Sequence, residues 1–113
     1  MLIVRDKITL DELKKMSEKM HDNLVKAVVD IEKNIMAVDA GMHADEEMIL
    51  LEEGSQQEDL WGINIYPYKL TDKWIEFDSM INLRPSYGNK TRGVDDVRIQ
   101  ERIKRIVDTL VEK

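Results

Sequence analysis

The sequence predicts a fold of the α+β class: an antiparallel β-sheet of about four to five strands, with the N- and C-terminal helices packed on one face. Three observations lead to this prediction. Helical spacing of apolar residues is clearest near the two ends of the chain, and short runs of branched and aromatic residues lie between them. Two of these runs are joined by a connection too short for a parallel crossover. With 113 residues, the chain is predicted to form one domain over 1–113.

The N-terminal segment carries the clearest local signal. Residues 2–5 are typical of a short strand. Thr9 then fits a helix N-cap, and Glu12, three residues later, fits its partner in a capping box. A first helix is therefore predicted from about Leu10 to Asp22.

A hairpin follows this helix. The runs 24–31 and 35–40 are rich in valine and other apolar residues, and the first alternates in part. Glu32-Lys33-Asn34 between them is a plausible turn. Together these features predict two antiparallel strands.

Residues 44–53 fit two alternatives. One is a short helix capped by Asp45 and ended by Gly54 in a left-handed conformation. The other is a strand over 48–52 followed by a turn. Periodicity does not separate them in so short an apolar run, and we favour the helix.

The C-terminal half predicts two more strands, a loop and a helix. The strands cover 60–66 and 74–83, and each run stops before a proline. A polar, glycine-containing loop covers 85–93. A helix follows over about 95–111, with an apolar stripe formed by Ile99, Ile103, Ile106, Val107, Leu110 and Val111.

The composition excludes several classes of function. There is no cysteine, so disulfides, cysteine nucleophiles, thiolate zinc sites and iron–sulfur clusters are excluded, which is compatible with a cytoplasmic location. No apolar run approaches ~20 residues, so no membrane partner is expected. A net charge of −6 argues against nucleic acid as a partner, because binding a duplex requires a basic face.

The charges are separated along the chain. Residues 34–68 contain eight acids and no lysine or arginine, whereas the segment from Arg84 to Arg92 contains three cations and no acid. Such runs are typical of a solvated surface. The alternative is that the basic segment meets an anion, which could be a ligand or the acidic stretch of the same or another subunit. A homo-oligomer is therefore a possible assembly.

The predicted strand over 74–83 suggests a site on the sheet. Alternation would place Asp78, Met80, Asn82 and Arg84 on one face, with Asn64 supplied by the neighbouring strand. This row is either a solvated face or a polar binding site, and surface ion pairs contribute too little stability to decide between the two.

The loop that follows adds two further candidates, Asn89 and Arg92. The segment does not match a nucleotide-binding P-loop, because no glycine directly precedes Lys90-Thr91. Guanidinium groups do suit carboxylates and phosphates. We therefore predict a non-enzymatic binding module that holds a small anionic ligand or an acidic protein segment near Arg84 and Arg92.

His43 is the remaining candidate, because several acids flank it in the sequence. It lacks the spacing of a histidine metal motif, so no metal site is predicted, and the sequence identifies no cofactor. The alternative function is a small hydrolase- or isomerase-like enzyme that uses His43, Asp78 and Arg84. This alternative requires all three side chains around one cleft.

Three segments carry a resemblance to a family: Asp59-Leu60-Trp61-Gly62-Ile63-Asn64, His43-Ala44-Asp45-Glu46 and Ile81-Asn82-Leu83-Arg84-Pro85. The chain resembles a small uncharacterised prokaryotic family of about this length, found in archaea and bacteria. The resemblance covers nearly the whole chain. It implies a compact cytoplasmic domain and transfers no activity.

Overall fold

The structure is a computed structural model that describes residues 1–69 and 71–113. Its strands are β1 (Leu2–Val4), β2 (Ile8–Thr9), β3 (Val25–Asp30), β4 (Ile35–Val38), β5 (Leu60–Ile65), β6 (Ile75–Glu76) and β7 (Val111–Glu112). Its helices are α1 (Leu10–Ser17), α2 (His43–Glu52) and α3 (Val97–Leu110). The predicted α+β class is confirmed.

Five strands form one antiparallel sheet in the order β1-β4-β3-β5-β6. The central strand β3 pairs with β4 as the predicted hairpin, which confirms that part of the topology. The turn between them is held by Asp30, whose carboxylate accepts hydrogen bonds from the backbone N–H of Glu32 and of Lys33, each at 2.9 Å. Asn34 completes the turn with a positive φ of 59°, a conformation that asparagine tolerates.

The sheet has two unlike faces because side chains alternate along each strand. On one face, α1 and α3 cover the larger hydrophobic cluster, which includes Leu13, Ala27, Ile63 and Ile103. The predicted packing of these two helices on one face is therefore correct. On the other face lies a smaller cluster, formed by Val28, Ile35, Ala37, Leu50 and Leu60, with Leu50 supplied by α2.

Helix α1 begins as predicted and ends earlier. The Thr9 hydroxyl accepts a hydrogen bond from the Glu12 N–H at 3.1 Å. The helix ends at Ser17 rather than at Asp22, because the backbone tightens there: the N–H of Lys19 bonds the carbonyl of Met16, three residues back. The chain then turns towards β3.

Residues 43–52 form a helix, so the favoured alternative is correct. Gly54 has a φ of +99°, as predicted for the residue that ends this helix. The predicted cap is wrong: Met42 occupies the N-cap position and its side chain makes no capping bond. In the part of the chain that the structure describes, the N-terminus of α2 therefore has no side-chain cap.

The predicted strand over 74–83 is wrong beyond Glu76. The Ser79 hydroxyl caps a 3₁₀ turn over Met80–Asn82, which takes the chain out of the sheet. The Asn82 amide holds this turn onto β5, because it accepts from the Gly62 N–H at 2.8 Å and donates to the Gly62 carbonyl at 2.9 Å. Alternation therefore fails here, and the shared face predicted for Asp78, Asn82 and Arg84 does not form.

Helix α3 is slightly shorter than the predicted span of 95–111. Asp96 caps it by accepting a hydrogen bond from the Arg98 N–H at 2.9 Å. After α3, strand β7 pairs in parallel with β2, a contact the sequence did not predict. Within the described residues, none of the helices is long and apolar enough to cross a membrane.

Candidate functional site

A row of polar residues crosses the sheet on the face that α2 covers in part. Lys26 on β3 is paired in register with Asn64 on β5, which is paired with Glu76 on β6. Residues paired in this way point to the same face and contact one another. The Asn64 amide donates to Glu76 Oε1 at 2.9 Å and to the Asp78 carbonyl at 3.3 Å.

His43, the first residue of α2, is buried beside this row. Its Nε2 lies 2.8 Å from the Ile63 carbonyl oxygen. A carbonyl can only accept, so Nε2 carries the hydrogen and donates it. Burial lowers the pKa of His43, and the nearby charges of Lys26 and Arg92 lower it further. The ring is therefore neutral near pH 7, and its other nitrogen, Nδ1, is an acceptor.

The segment after β6 brings Ser79 and Arg92 to the same place. The Ser79 N–H donates to the Arg92 carbonyl at 2.9 Å, and Arg92 Nε donates to Asp78 Oδ1 at 2.7 Å. Gly62 permits this approach, because a Cβ at that position would lie 2.5 Å from Ser79 Oγ. A glycine on β5 thus makes room for a site residue.

His43, Ser79 and Arg92 line a cavity of about 170 Å³, which we call the His43 cavity. Its polar lining consists of Lys26, His43, Ser79 and Arg92. The exposed side chains of Met42 and Met80 also line it. The N-terminus of α2 borders the cavity, and the positive end of a helix dipole favours an anion.

Glu46 lies one turn along α2 from His43 and is completely buried. Its Oε2 accepts a hydrogen bond from the Ala40 N–H at 3.1 Å, while its Oε1 has no partner among the described residues. Burial raises the pKa of Glu46 to about 9, so the carboxyl is neutral near pH 7. Because an unpaired buried oxygen costs stability, its presence here marks a place where stability was not maximised.

Among the described residues, the lining of the His43 cavity contains two cations and no carboxylate. Lys26 and Arg92 are positive, whereas His43 is neutral near pH 7. Two carboxylates lie beside the lining: Asp78, which pairs with Arg92, and Glu76 on β6. Within the described residues no group of three or more histidine, aspartate or glutamate side chains is placed to hold a metal ion.

Arg84, the centre of the predicted site, lies elsewhere. Its Nη1 donates to the Gln57 carbonyl at 2.7 Å and its Nη2 to the Leu60 carbonyl at 2.8 Å. The guanidinium also stacks on Trp61, 4.3 Å from the ring centre. Burial lowers the pKa of Arg84. Two of its five N–H groups thus hold the backbone at the start of β5, and its Nε has no partner among the described residues.

Arg84 and Arg92 line different cavities. The cavity at Arg84 has a volume of about 330 Å³, and its lining includes Asn89 and the acidic side chains of Glu58, Asp95 and Asp96. Three acids around one cation make it a poor place for an anion. The structure does not bring the two arginines together in one cavity.

The two predicted amides of the loop have structural contacts. The Asn89 amide donates to the carbonyls of Asn82, Thr91 and Gly93 and accepts from the Asp95 N–H. Asn82 holds Gly62, as described above. Both side chains are buried and bonded to backbone groups, and these bonds fix the path of residues 82–95.

The predicted site residues thus fall into three groups according to where they lie. His43 and Arg92 line one cavity, and Asp78 and Asn64 contact its rim or neighbouring backbone. Arg84 and Asn89 line the second cavity, and Asn82 is enclosed. Sequence reasoning missed Lys26, Glu46 and Ser79. A lysine between the apolar residues of β3, and a glutamate three positions after His43 on one helix, are the signals that point to the first two.

The fold and the site define a class: an α+β protein with a five-stranded antiparallel sheet and a small polar cavity at the N-terminus of a helix on the less covered face. The chain belongs to the family described as a protein of unknown function (DUF5674), whose model matches residues 2–110. This confirms the resemblance to an uncharacterised family. No curated protein matches the chain, and no solved structure matches it.

Proposed function

We propose that the protein is a binding module for a small anionic ligand, held in the His43 cavity by Lys26, Ser79 and Arg92. The observation that carries this proposal is the convergence of two cations, a hydroxyl and an uncapped helix N-terminus on one cavity. These residues come from three separate segments of the chain. Their charges and donors are those that bind carboxylates and phosphates.

The two cations retain capacity for a ligand. Arg92 gives its Nε hydrogen to Asp78, and no hydrogen bond within the described residues uses its two terminal nitrogens. Lys26 has no carboxylate within ion-pair distance in the described part of the chain. An anion in the cavity would therefore gain contacts without breaking existing ones.

The neutral state of Glu46 supports the same proposal. An ionised carboxylate next to the cavity would oppose an anion, and the raised pKa removes that charge near pH 7. The volume of about 170 Å³ favours a small oxyanion over a nucleotide.

The other predicted partners fit less well. An acidic protein segment could place one carboxylate in the cavity and contact Met42 and Met80 at the cavity rim. The cations would then bind a carboxylate of a protein instead of a small anion. Self-association through the acidic and basic stretches stays a prediction, as does a cytoplasmic location. The enzymatic alternative needs Arg84 beside His43, and the two line different cavities.

A thermal-shift titration with inorganic phosphate tests the proposal. It compares the wild type with Arg92→Gln and with the matched control Arg98→Gln, since both arginines are exposed and paired with an aspartate. At 100 times the Kd, a ligand adds about 2.7 kcal/mol, which shifts the Tm by roughly 10 °C. We expect this shift in the wild type and in Arg98→Gln, and an affinity about tenfold weaker in Arg92→Gln. No shift in a folded wild type, or equal losses in both variants, would contradict the proposal.

A further inference from the structure

The His43 cavity contains an acceptor as well as donors. Because His43 Nε2 donates to the Ile63 carbonyl, Nδ1 is the ring nitrogen left for a ligand. This nitrogen has no hydrogen-bond partner among the described residues. It is not fully buried, so a ligand can reach it. A neutral imidazole presents a lone pair there.

An anion oxygen opposite that lone pair is unfavourable unless one of the two carries a hydrogen. Charged groups from each neighbouring element act on the ring: Lys26 on β3, and Asp78 and Arg92 in the segment after β6. Burial is the largest influence and lowers the pKa of His43, which favours the neutral ring. The two cations lower this pKa further, whereas Asp78 raises it. The hydrogen must then come from the ligand.

We infer that the cavity selects an anion that itself carries a hydrogen-bond donor, such as hydrogen phosphate or a hydroxycarboxylate, with the donor directed at His43 Nδ1. This inference rests on the proposed function and narrows its ligand class. A site that accepts a hydrogen bond rejects an analogue without the donor, because the bound analogue would cover the acceptor and leave it unpaired.

Two matched pairs of anions test the inference. Phosphate and sulfate share shape and, at pH 7.5, nearly the same charge, but only phosphate keeps a hydrogen. Glycolate and acetate differ by one hydroxyl group. We expect Kd values at least about tenfold lower for phosphate than for sulfate, and lower for glycolate than for acetate, measured by NMR titration at constant ionic strength.

The pH dependence gives a second readout in the wild type. Sulfate and acetate can bind well only when Nδ1 is protonated, so their affinity should rise as the pH falls from 7.5 through the lowered pKa of His43. The preference for phosphate over sulfate should therefore shrink towards pH 5. This measurement needs no variant and does not depend on a substitution folding.

Variants at position 43 complete the test. His43→Gln keeps one donor for the Ile63 carbonyl and one acceptor, and should retain part of the preference, whereas a folded His43→Leu should lose it. Sulfate binding as tightly as phosphate at pH 7.5, or an undiminished preference in folded His43→Leu, would overturn the inference and leave the proposed function standing. If none of the four anions binds the folded wild type, the proposed function itself is wrong.

Discussion

The two faces of the sheet differ in the side chains that cover them. The face under α1 and α3 is covered by a continuous apolar cluster whose members are almost all buried. The face under α2 has a small apolar cluster at one end and a row of polar side chains at the other. Apolar burial stabilises the fold by about 25 cal/mol per Å², so the first face supplies most of the stability.

The difference between the faces shows which part of the fold contains groups that lower its stability. His43, Glu46, Asn64 and Ser79 are all buried on the α2 side, and two of them have an oxygen without a partner among the described residues. Each such oxygen costs about 1–3 kcal/mol. The large cluster on the opposite face offsets these costs, so the fold can contain buried polar groups on the α2 side.

The largest expected effect concerns Glu46. Its pKa is about 9 in the folded protein and close to 4.5 when unfolded, so the folded state retains a proton that the unfolded state loses over that interval. The free energy of unfolding of the wild type, relative to Glu46→Gln, should therefore be highest below pH 4.5. It should fall by several kcal/mol as the pH rises through 9. Urea unfolding at pH 5, 7 and 9 measures this difference, and a flat difference would show that Glu46 is ionised or exposed.

The next effect tests the apolar face. Ile103 on α3 is fully buried in the large cluster, and Ile103→Ala should destabilise the protein by about 2–5 kcal/mol, because it leaves a cavity. Anion affinity in the remaining folded protein should not change, since Ile103 lies on the face opposite to His43. Denaturant unfolding and a phosphate titration on the same variant check both statements. A loss of affinity with little loss of stability would contradict the division between the faces.

The smallest effect tests the packing of the polar face. In Gly62→Ala the new Cβ would lie 2.5 Å from Ser79 Oγ and 2.6 Å from Ser79 Cβ, so Ser79 must move. We expect a loss of about 1–3 kcal/mol together with weaker phosphate binding. Gly41→Ala is the control, because within the described residues, its two chain neighbours aside, no heavy atom lies within 4 Å of its added Cβ. The thermal midpoints of both variants are the measurement, and equal midpoints would contradict the close contact.

Local signals predicted much of the fold. The cap at Thr9 and the stripe on α3 depend on residues three or four positions apart, which a sequence displays directly. The hairpin and the left-handed Gly54 belong to the same category. Each of these features is decided by neighbours along the chain.

The site was harder to predict because it depends on contacts between distant segments. Alternation over 74–83 is a local rule, and the hydrogen bonds between Asn82 and Gly62, 20 positions apart, override it. The charge of Arg84 makes it a candidate in the sequence, but its hydrogen bonds to the carbonyls of Gln57 and Leu60 depend on contacts between distant segments. The sequence indicates His43 and Arg92 as candidates, which stay predictions, and only the structure brings them to one cavity with Lys26.

The parallel pairing of β2 with β7 has a consequence for the order of folding. It joins residues that lie about as far apart as this sequence allows, and the nearby bond from Lys7 Nζ to the Thr109 carbonyl spans 102 positions. Closing so long a loop is entropically costly before other contacts exist. The hairpin β3–β4 and its pairing with β5 need much shorter loops, so we expect them to form first. We expect the pairing of β2 with β7 to form last and to be the first part of the structure to open in native-state hydrogen exchange.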